Sequence, residues 1–262
     1  MTPKKGLLVV SFGTSYHETR VKTIERLEAE LSAAFPERRL YRAWTSSMIR
    51  KKLKERDQIS ILSVAEALAQ MADDGIKDIL VQPTHIINGT ENDLMTAAVE
   101  ARRGDFQRVA LGKPLLYATE DYFAVIDALV KTYPLREDTA LLLMGHGTEH
   151  YADSAYAALD YMMKAAGHPN FFVGTVEGYP DFNTMLRLLK KSPYQKVHLV
   201  PLMIVAGDHA NHDMVGEDEN SWKSRLTEMG FTVSYACKGL GEIKEIRDIF
   251  LYHAEKEEKN HV

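Results

Sequence analysis

Eight short apolar runs punctuate this chain, and stretches of helical periodicity separate them almost from end to end. The runs cover residues 6–12, 40–44, 78–83, 108–111, 140–144, 171–175, 196–202 and 232–236. Between them apolar residues recur three and four apart, as in Val21, Ile24, Leu27, Leu31 and Phe35, while Leu226 and Met229 close another such stretch. Runs this short and continuously apolar read as strands buried on both faces, and helices between them predict parallel βαβ units. The expected class is α/β. Eight strands with intervening helices also fit a closed barrel, but the chain repeats itself in a way that argues for two halves.

Val9-Val10-Ser11-Phe12-Gly13-Thr14 resembles Leu143-Met144-Gly145-His146-Gly147-Thr148. Val81-Gln82-Pro83 followed by Ile86-Ile87-Asn88-Gly89-Thr90-Glu91 resembles Val200-Pro201 followed by Ile204-Val205-Ala206-Gly207-Asp208-His209, with Pro83 and Gly89 spaced as Pro201 and Gly207 are. A weaker echo pairs Met48-Ile49-Arg50 with Met185-Leu186-Arg187. Any two βα units share some pattern, yet three landmarks in one order predict two similar halves, 1–125 and 135–262, joined around Tyr133-Pro134-Leu135. Two four-stranded halves facing one another would set their strand-end loops around a shared central cleft, which is where open α/β sheets bind ligands.

Bulk properties exclude several classes. A formal net charge of -5 over 262 residues gives no basic field to recruit nucleic acid. No stretch approaches the roughly 18 apolar residues of a membrane span, and the first apolar run is too short for an export signal. A cytoplasmic protein with no membrane partner is therefore expected. The single cysteine, Cys237, allows no intramolecular disulfide and no cysteine-rich metal cage, which leaves ten histidines as the plentiful ligands.

Two of these histidines stand where chemistry would. His146 follows an apolar run between Gly145 and Gly147, and glycine permits the sharp turn and close approach a ligand loop needs. His209 lies in Gly207-Asp208-His209-Ala210-Asn211-His212-Asp213, where Asp208, Asn211 or Asp213 could orient the ring. His212, three residues on, has a familiar ligand spacing. The same segment also reads as a helix N-terminus capped by Asp208, with His212 in solvent. Glu177 follows a third run, and two imidazoles with one carboxylate suit a divalent transition ion while leaving coordination positions open.

In the first half, Ser11, Phe12, Gly13 and Thr14 form a strand-to-helix turn whose hydroxyls and amides could cradle an anion. The segment from His85 through Gly89 to Glu91 is a second such loop, in which Glu91 either faces a ligand or supports a helix N-terminus. The basic run from Arg50 to Arg56 could meet an anionic ligand, though such runs are more often a solvated helix face. No nucleotide-binding glycine signature and no G-x-S-x-G elbow is present.

The segments 8–16, 85–89, 144–147, 176–180 and 201–210, in this order over nearly the whole chain, resemble the anaerobic sirohydrochlorin cobaltochelatases of cobalamin biosynthesis, the CbiK family of class II chelatases. The resemblance implies two Rossmann-like halves around a tetrapyrrole cleft and ATP-independent insertion of Co2+ into sirohydrochlorin. It implies His146, Glu177 and His209 as metal-binding residues, with His146 also the proton acceptor, and it places Glu91 at an acidic position of less defined role. Ser11, Phe12, Gly13, Thr14 and Gly89 would bind the tetrapyrrole. The only metal expected is the substrate ion, Co2+, with Fe2+ and Ni2+ as alternatives; the partners are the tetrapyrrole, the ion and further copies of the chain in a homo-oligomer. Two other readings share these features: a carrier for metal or tetrapyrrole that needs no base, and a two-lobed receptor for a sugar or phosphate.

Overall fold

The computed structural model describes residues 3–260. The chain divides into two compact units, one of residues 1–117 with 244–262, the other of residues 118–243. The first contains β1 (Lys4–Ser11), α1 (His17–Lys22), α2 (Ile24–Ala34), β2 (Arg38–Trp44), α3 (Ser47–Asp57), α4 (Val64–Asp73), β3 (Ile76–Pro83), α5 (Thr90–Ala101) and β4 (Arg108–Leu111). The second contains α6 (Thr119–Thr132), β5 (Thr139–Gly145), α7 (Ser154–Ala165), β6 (Phe171–Thr175), α8 (Phe182–Leu189), β7 (Lys196–Leu202), α9 (Trp222–Glu228) and β8 (Thr232–Tyr235), after which α10 (Lys244–Asn260) belongs to the first unit again.

All eight expected strands form, in two separate four-stranded parallel sheets ordered β2-β1-β3-β4 and β6-β5-β7-β8. The order is the same in both units, and a closed barrel is excluded. The duplication reaches residue register: Val10 pairs with Pro83 across β1 and β3, and Met144 pairs with Pro201 across β5 and β7. These are the positions that the sequence repeat aligns. The weaker echo does not extend to environment, since Met48 is exposed on α3 whereas Met185 is buried on α8.

Continuous apolar strands require cover on both faces. Every residue of β5 is buried, and the core beneath it gathers Leu142, Met144, Phe172, Met185, Leu199, Trp222 and Leu226. In the first unit Leu8, Val10, Ala43, Leu68, Met71, Ile79 and Val81 do the same.

Two expectations are corrected. The helix read through Val21 to Phe35 is two helices, because Thr23 breaks it at φ -120° and ψ -81° and its Oγ1 donates to the Thr19 carbonyl at 2.6 Å. A threonine bonding back to the preceding turn competes with helix continuation. The second difference concerns the C-terminus. The sequence repeat assigns residues 244–262 to the second half, but α10 packs on β3, β4 and α2. Its anchor is a buried ionic knot that no local pattern announces. Arg38, the first residue of β2, donates to Asp78 Oδ1 at 2.9 Å and to Glu258 Oε2 of α10 at 2.7 Å. Arg108, the first residue of β4, reaches Glu258 Oε2 at 3.0 Å and Asp78 Oδ1 at 3.1 Å. The Arg38 side chain has 0% exposure, so its charge depends on these two carboxylates.

Removing one partner from a buried ionic cluster leaves a charge without compensation. Glu258→Gln is therefore expected to lower stability by about 3 kcal/mol, seen as a lower urea midpoint with an unchanged slope. A change within about 0.5 kcal/mol would show that apolar contacts alone hold α10.

Candidate metal centre

Three strands of the second unit end level with one another. Gly145 at the end of β5 pairs with Thr175 at the end of β6 and with Leu202 at the end of β7. The loops leaving these strands therefore start from one edge of the sheet. His146 comes next after β5, Glu177 lies two residues beyond β6, and His209 comes after β7 and a short loop. One ligand atom from each of the three lies within 4.8 Å of the others.

The His146 ring is held by its own loop. Its Nδ1 is 2.8 Å from the Gly147 carbonyl. A carbonyl only accepts, so Nδ1 carries a proton in this contact. Gly147 turns at φ +80°, and a Cβ there would overlap the Gly178 backbone. Beneath the loop, the ring of Tyr156 fills the space a Cβ on Gly145 would need. The glycines flanking His146 thus serve loop turning and packing.

His209 opens a turn of π-helix, Ala210–Met214, anchored by buried Ala210 and Met214. Its Nδ1 lies 2.7 Å from Asp213 Oδ2, so the carboxylate orients the ring. Of the three residues the sequence offered as its support, Asp213 makes this contact. The His212 Nδ1 turns to the Asp208 carbonyl at 3.1 Å, and His212 does not join the cluster. His209, not Asp208, is the cap residue of this turn.

Glu177 sits in a loop closed by Thr175, whose N–H and hydroxyl both donate to the Pro180 carbonyl, at 2.7 and 3.0 Å. The Glu177 N–H donates to the His146 carbonyl at 2.8 Å, and its carboxylate is 3.8 Å from His146 Nδ1. Side-chain exposures of 38% for His146, 57% for Glu177 and 30% for His209 describe a group open to solvent on one side. Ligands on one tetrahedral ion with bonds of about 2.1 Å stand about 3.4 Å apart. Atoms all within 4.8 Å of one another are close enough to converge on one ion.

The first unit places its candidate residues differently. Ser11 and Thr14 are buried, and their hydroxyls, expected to be available to a ligand, are engaged internally: Ser11 Oγ accepts from Thr84 at 2.9 Å and Thr14 Oγ1 from the Tyr16 N–H at 3.2 Å. Gly13 turns at φ +105° against the Trp44 ring, where a Cβ would clash. Phe12 is 38% exposed at the position matching His146. Gly89 caps α5, and Glu91 lies in its first turn with Oε2 buried and without a hydrogen-bond partner among the described residues. The basic run on α3 is partly committed, Arg56 donating to the Ser15 carbonyl at 2.6 Å and to Asp57.

Sequence reasoning passes over two residues. Asp153 touches both the His146 and Glu177 loops, and only its spatial position reveals this. His85 reads from sequence only as part of a loop. It is buried, and that burial pushes its imidazole down to about 4, with Asn92 opposing the shift. Neither ring nitrogen makes a hydrogen bond of acceptable geometry among the described residues, so the opposing contact is weak.

A sequence model of the cobalt chelatase (CbiK) family matches residues 5–258. The sirohydrochlorin cobaltochelatase of Salmonella typhimurium is 45% identical over 251 residues, 95% of either chain. The sirohydrochlorin cobaltochelatase CbiKC of Nitratidesulfovibrio vulgaris is 34% identical, covering 95% of this chain and 89% of the relative. Among solved structures, SirB from Bacillus subtilis with Fe3+ superposes with a TM-score of 0.64 at 13% identity, covering 98% and 96% of the two chains. DR2241 from Deinococcus radiodurans, described as a multi-domain protein with structural similarity to chelatases, gives 0.58 at 13% identity and covers 96% of this chain and 55% of the other. At such identities these two likenesses establish the fold alone.

The depressed His85 value has a measurable consequence. Between its ordinary value of 6.5 and about 4, the unfolded chain binds a proton at His85 that the folded chain does not. The stabilisation is complete above the unfolded value and is lost as pH falls through this window, by about 1.4 kcal/mol per pH unit. His85→Leu should remove that slope. Parallel pH–stability curves for the two proteins would refute it.

Proposed function

The chain belongs to the cobalt chelatase (CbiK) family, and from that premise we propose that it is a sirohydrochlorin cobaltochelatase, a metal-inserting lyase that places Co2+ in the macrocycle without ATP during anaerobic cobalamin biosynthesis. The observation that carries the reading is the convergence of His146, Glu177 and His209 from three level strand ends. Co2+ is the substrate ion of this site, and Fe2+ and Ni2+ remain as alternatives because the same N,N,O donor set takes all three.

Each residue has a chemical part. With Nδ1 of each ring engaged, the Nε2 atoms of His146 and His209 and the Glu177 carboxylate would receive the hydrated ion. Two neutral imidazoles and one carboxylate leave positions free for the tetrapyrrole nitrogens. Metallation expels two pyrrole protons, so a base must stand beside the metal. His146 would take one of the two, its Nε2 accepting the proton once it is free of the ion while the Gly147 carbonyl holds the ring in the required tautomer, and the second would pass to solvent at this exposed edge. Asp213 strengthens His209 as a ligand through its Nδ1–H.

In the first unit, Glu91 is the candidate for a second acid–base role, supported by its buried and unpartnered Oε2. Ser11, Phe12, Gly13, Thr14 and Gly89 are the candidates for holding the tetrapyrrole. With the hydroxyls engaged, backbone amides of the turn and the exposed Phe12 ring are the groups that would meet it. A homo-oligomeric, cytoplasmic protein completes the reading and rests on the family; among the described residues no helix is long and apolar enough to cross a membrane.

Mixing the protein with metal-free sirohydrochlorin and Co2+ under anaerobic conditions and following absorbance tests the proposal. The expected result is metallation well above the spontaneous rate, with His146→Ala lowering it on the order of a hundredfold or more. Saturable Co2+ binding without acceleration would make the protein a carrier. Parallel runs with Fe2+ and Ni2+ assign the preferred metal.

A further inference from the structure

Asp153 ends a short 3-10 turn, Tyr151–Asp153, immediately before α7. Its Oδ1 accepts the Thr148 N–H at 3.0 Å, and its Oδ2 accepts the Tyr179 N–H at 2.6 Å. Thr148 lies two residues beyond His146, and Tyr179 two residues beyond Glu177. One carboxylate therefore binds both ligand-bearing loops, one loop to each oxygen. Although Asp153 stands at the cap position of α7, its side chain makes no capping hydrogen bond to that helix, so the carboxylate is spent on the loops.

Glycine makes the arrangement possible at two points. A Cβ on Gly178 would land on the Asp153 carboxylate, and a Cβ on Gly147 would land on the Gly178 backbone. Gly147, Gly178 and the carboxylate form a three-layer contact with no room for a side chain. The two loops also bond directly, the Val176 and Glu177 N–H groups both reaching the His146 carbonyl, at 3.1 and 2.8 Å. The Asp153 bonds lie beyond this crossing and keep the loops from splaying.

We propose that Asp153 is a positioning residue for metal capture, a brace that sets the separation between the His146 and Glu177 ligand atoms. The inference rests on the chelatase reading of the site. Only an ionised carboxylate satisfies both N–H groups, because asparagine offers one oxygen and turns its own N–H bonds against the second donor. Loss of such an outer partner typically lowers metal affinity ten- to a hundredfold. Because Asp153 lies outside the His146–Glu177–His209 cluster and spends its carboxylate on the Thr148 and Tyr179 N–H groups, the change should appear in the Co2+ terms and leave the tetrapyrrole KM alone.

The test uses the full chain in four forms: wild type, Asp153→Asn, Gly178→Ala and the double variant. Each is titrated with Co2+ alone by visible ligand-field absorption, then assayed for metallation of sirohydrochlorin with separate KM values for metal and tetrapyrrole. Asp153→Asn should weaken Co2+ binding on the order of tenfold, alter the ligand-field spectrum and raise the metal KM. Gly178→Ala, which pushes a methyl into the same carboxylate, should do likewise, and the double variant should lose far less than the product of the two. Where Asp153→Asn fails to fold, Gly178→Ala carries the test. A folded Asp153→Asn with wild-type Co2+ affinity and spectrum overturns the inference, as does a wild-type-like Gly178→Ala. Wild-type protein that neither binds Co2+ nor accelerates metallation would instead overturn the chelatase reading itself.

Discussion

The register of β5 between its two neighbours is the constraint on which the candidate site depends. Gly145 is paired with Thr175 on one side and with Leu202 on the other, so three parallel strands stop at one level. Parallel strands buried on both faces can present polar groups only where they end. His146, Glu177 and His209 accordingly leave the sheet from a common edge, and their ligand atoms come within 4.8 Å of one another. A one-residue slip of β6 would turn its side chains to opposite faces and lose the set.

The two units show how one scaffold supports unequal chemistry. Both have the same strand order, and the Val10–Pro83 pairing is matched by Met144–Pro201. At equivalent strand ends one unit carries Phe12 and Glu91 and the other His146 and His209. Burial reinforces the difference. His85, in the first unit, is driven to about 4 and stays neutral inside the fold, whereas His146 and His209 sit half-exposed with Nδ1 hydrogen-bonded. Position relative to solvent, more than residue type, separates the buried imidazole from the candidate ligands.

Much of this was legible in the sequence because parallel strands write themselves as short apolar runs. Their number and all-parallel pairing follow from those runs, and His146, Glu177 and His209 stood out because each follows a strand end. Four things were not legible. The break at Thr23 depends on a hydroxyl bonding to the Thr19 carbonyl within an otherwise good helical pattern. The place of α10 depends on Arg38 meeting Asp78 and Glu258, residues far apart in the chain. Asp153 looks like an ordinary residue at the start of a helix, and only the fold brings the Thr148 and Tyr179 amides to its two oxygens. The Ser11 and Thr14 hydroxyls were legible as polar groups at a strand end, but their partners Thr84 and the Tyr16 N–H were not.

On the proposed function, a divalent ion is received by two histidines and one carboxylate at the edge of the second sheet. Anomalous diffraction from crystals soaked in Co2+ tests it most directly, since the peak locates the ion without reference to activity. A peak is expected about 2.0–2.2 Å from Nε2 of His146, Nε2 of His209 and a Glu177 oxygen. A principal peak at His212 and Asp208, or bound through Nδ1 of either histidine, would contradict it.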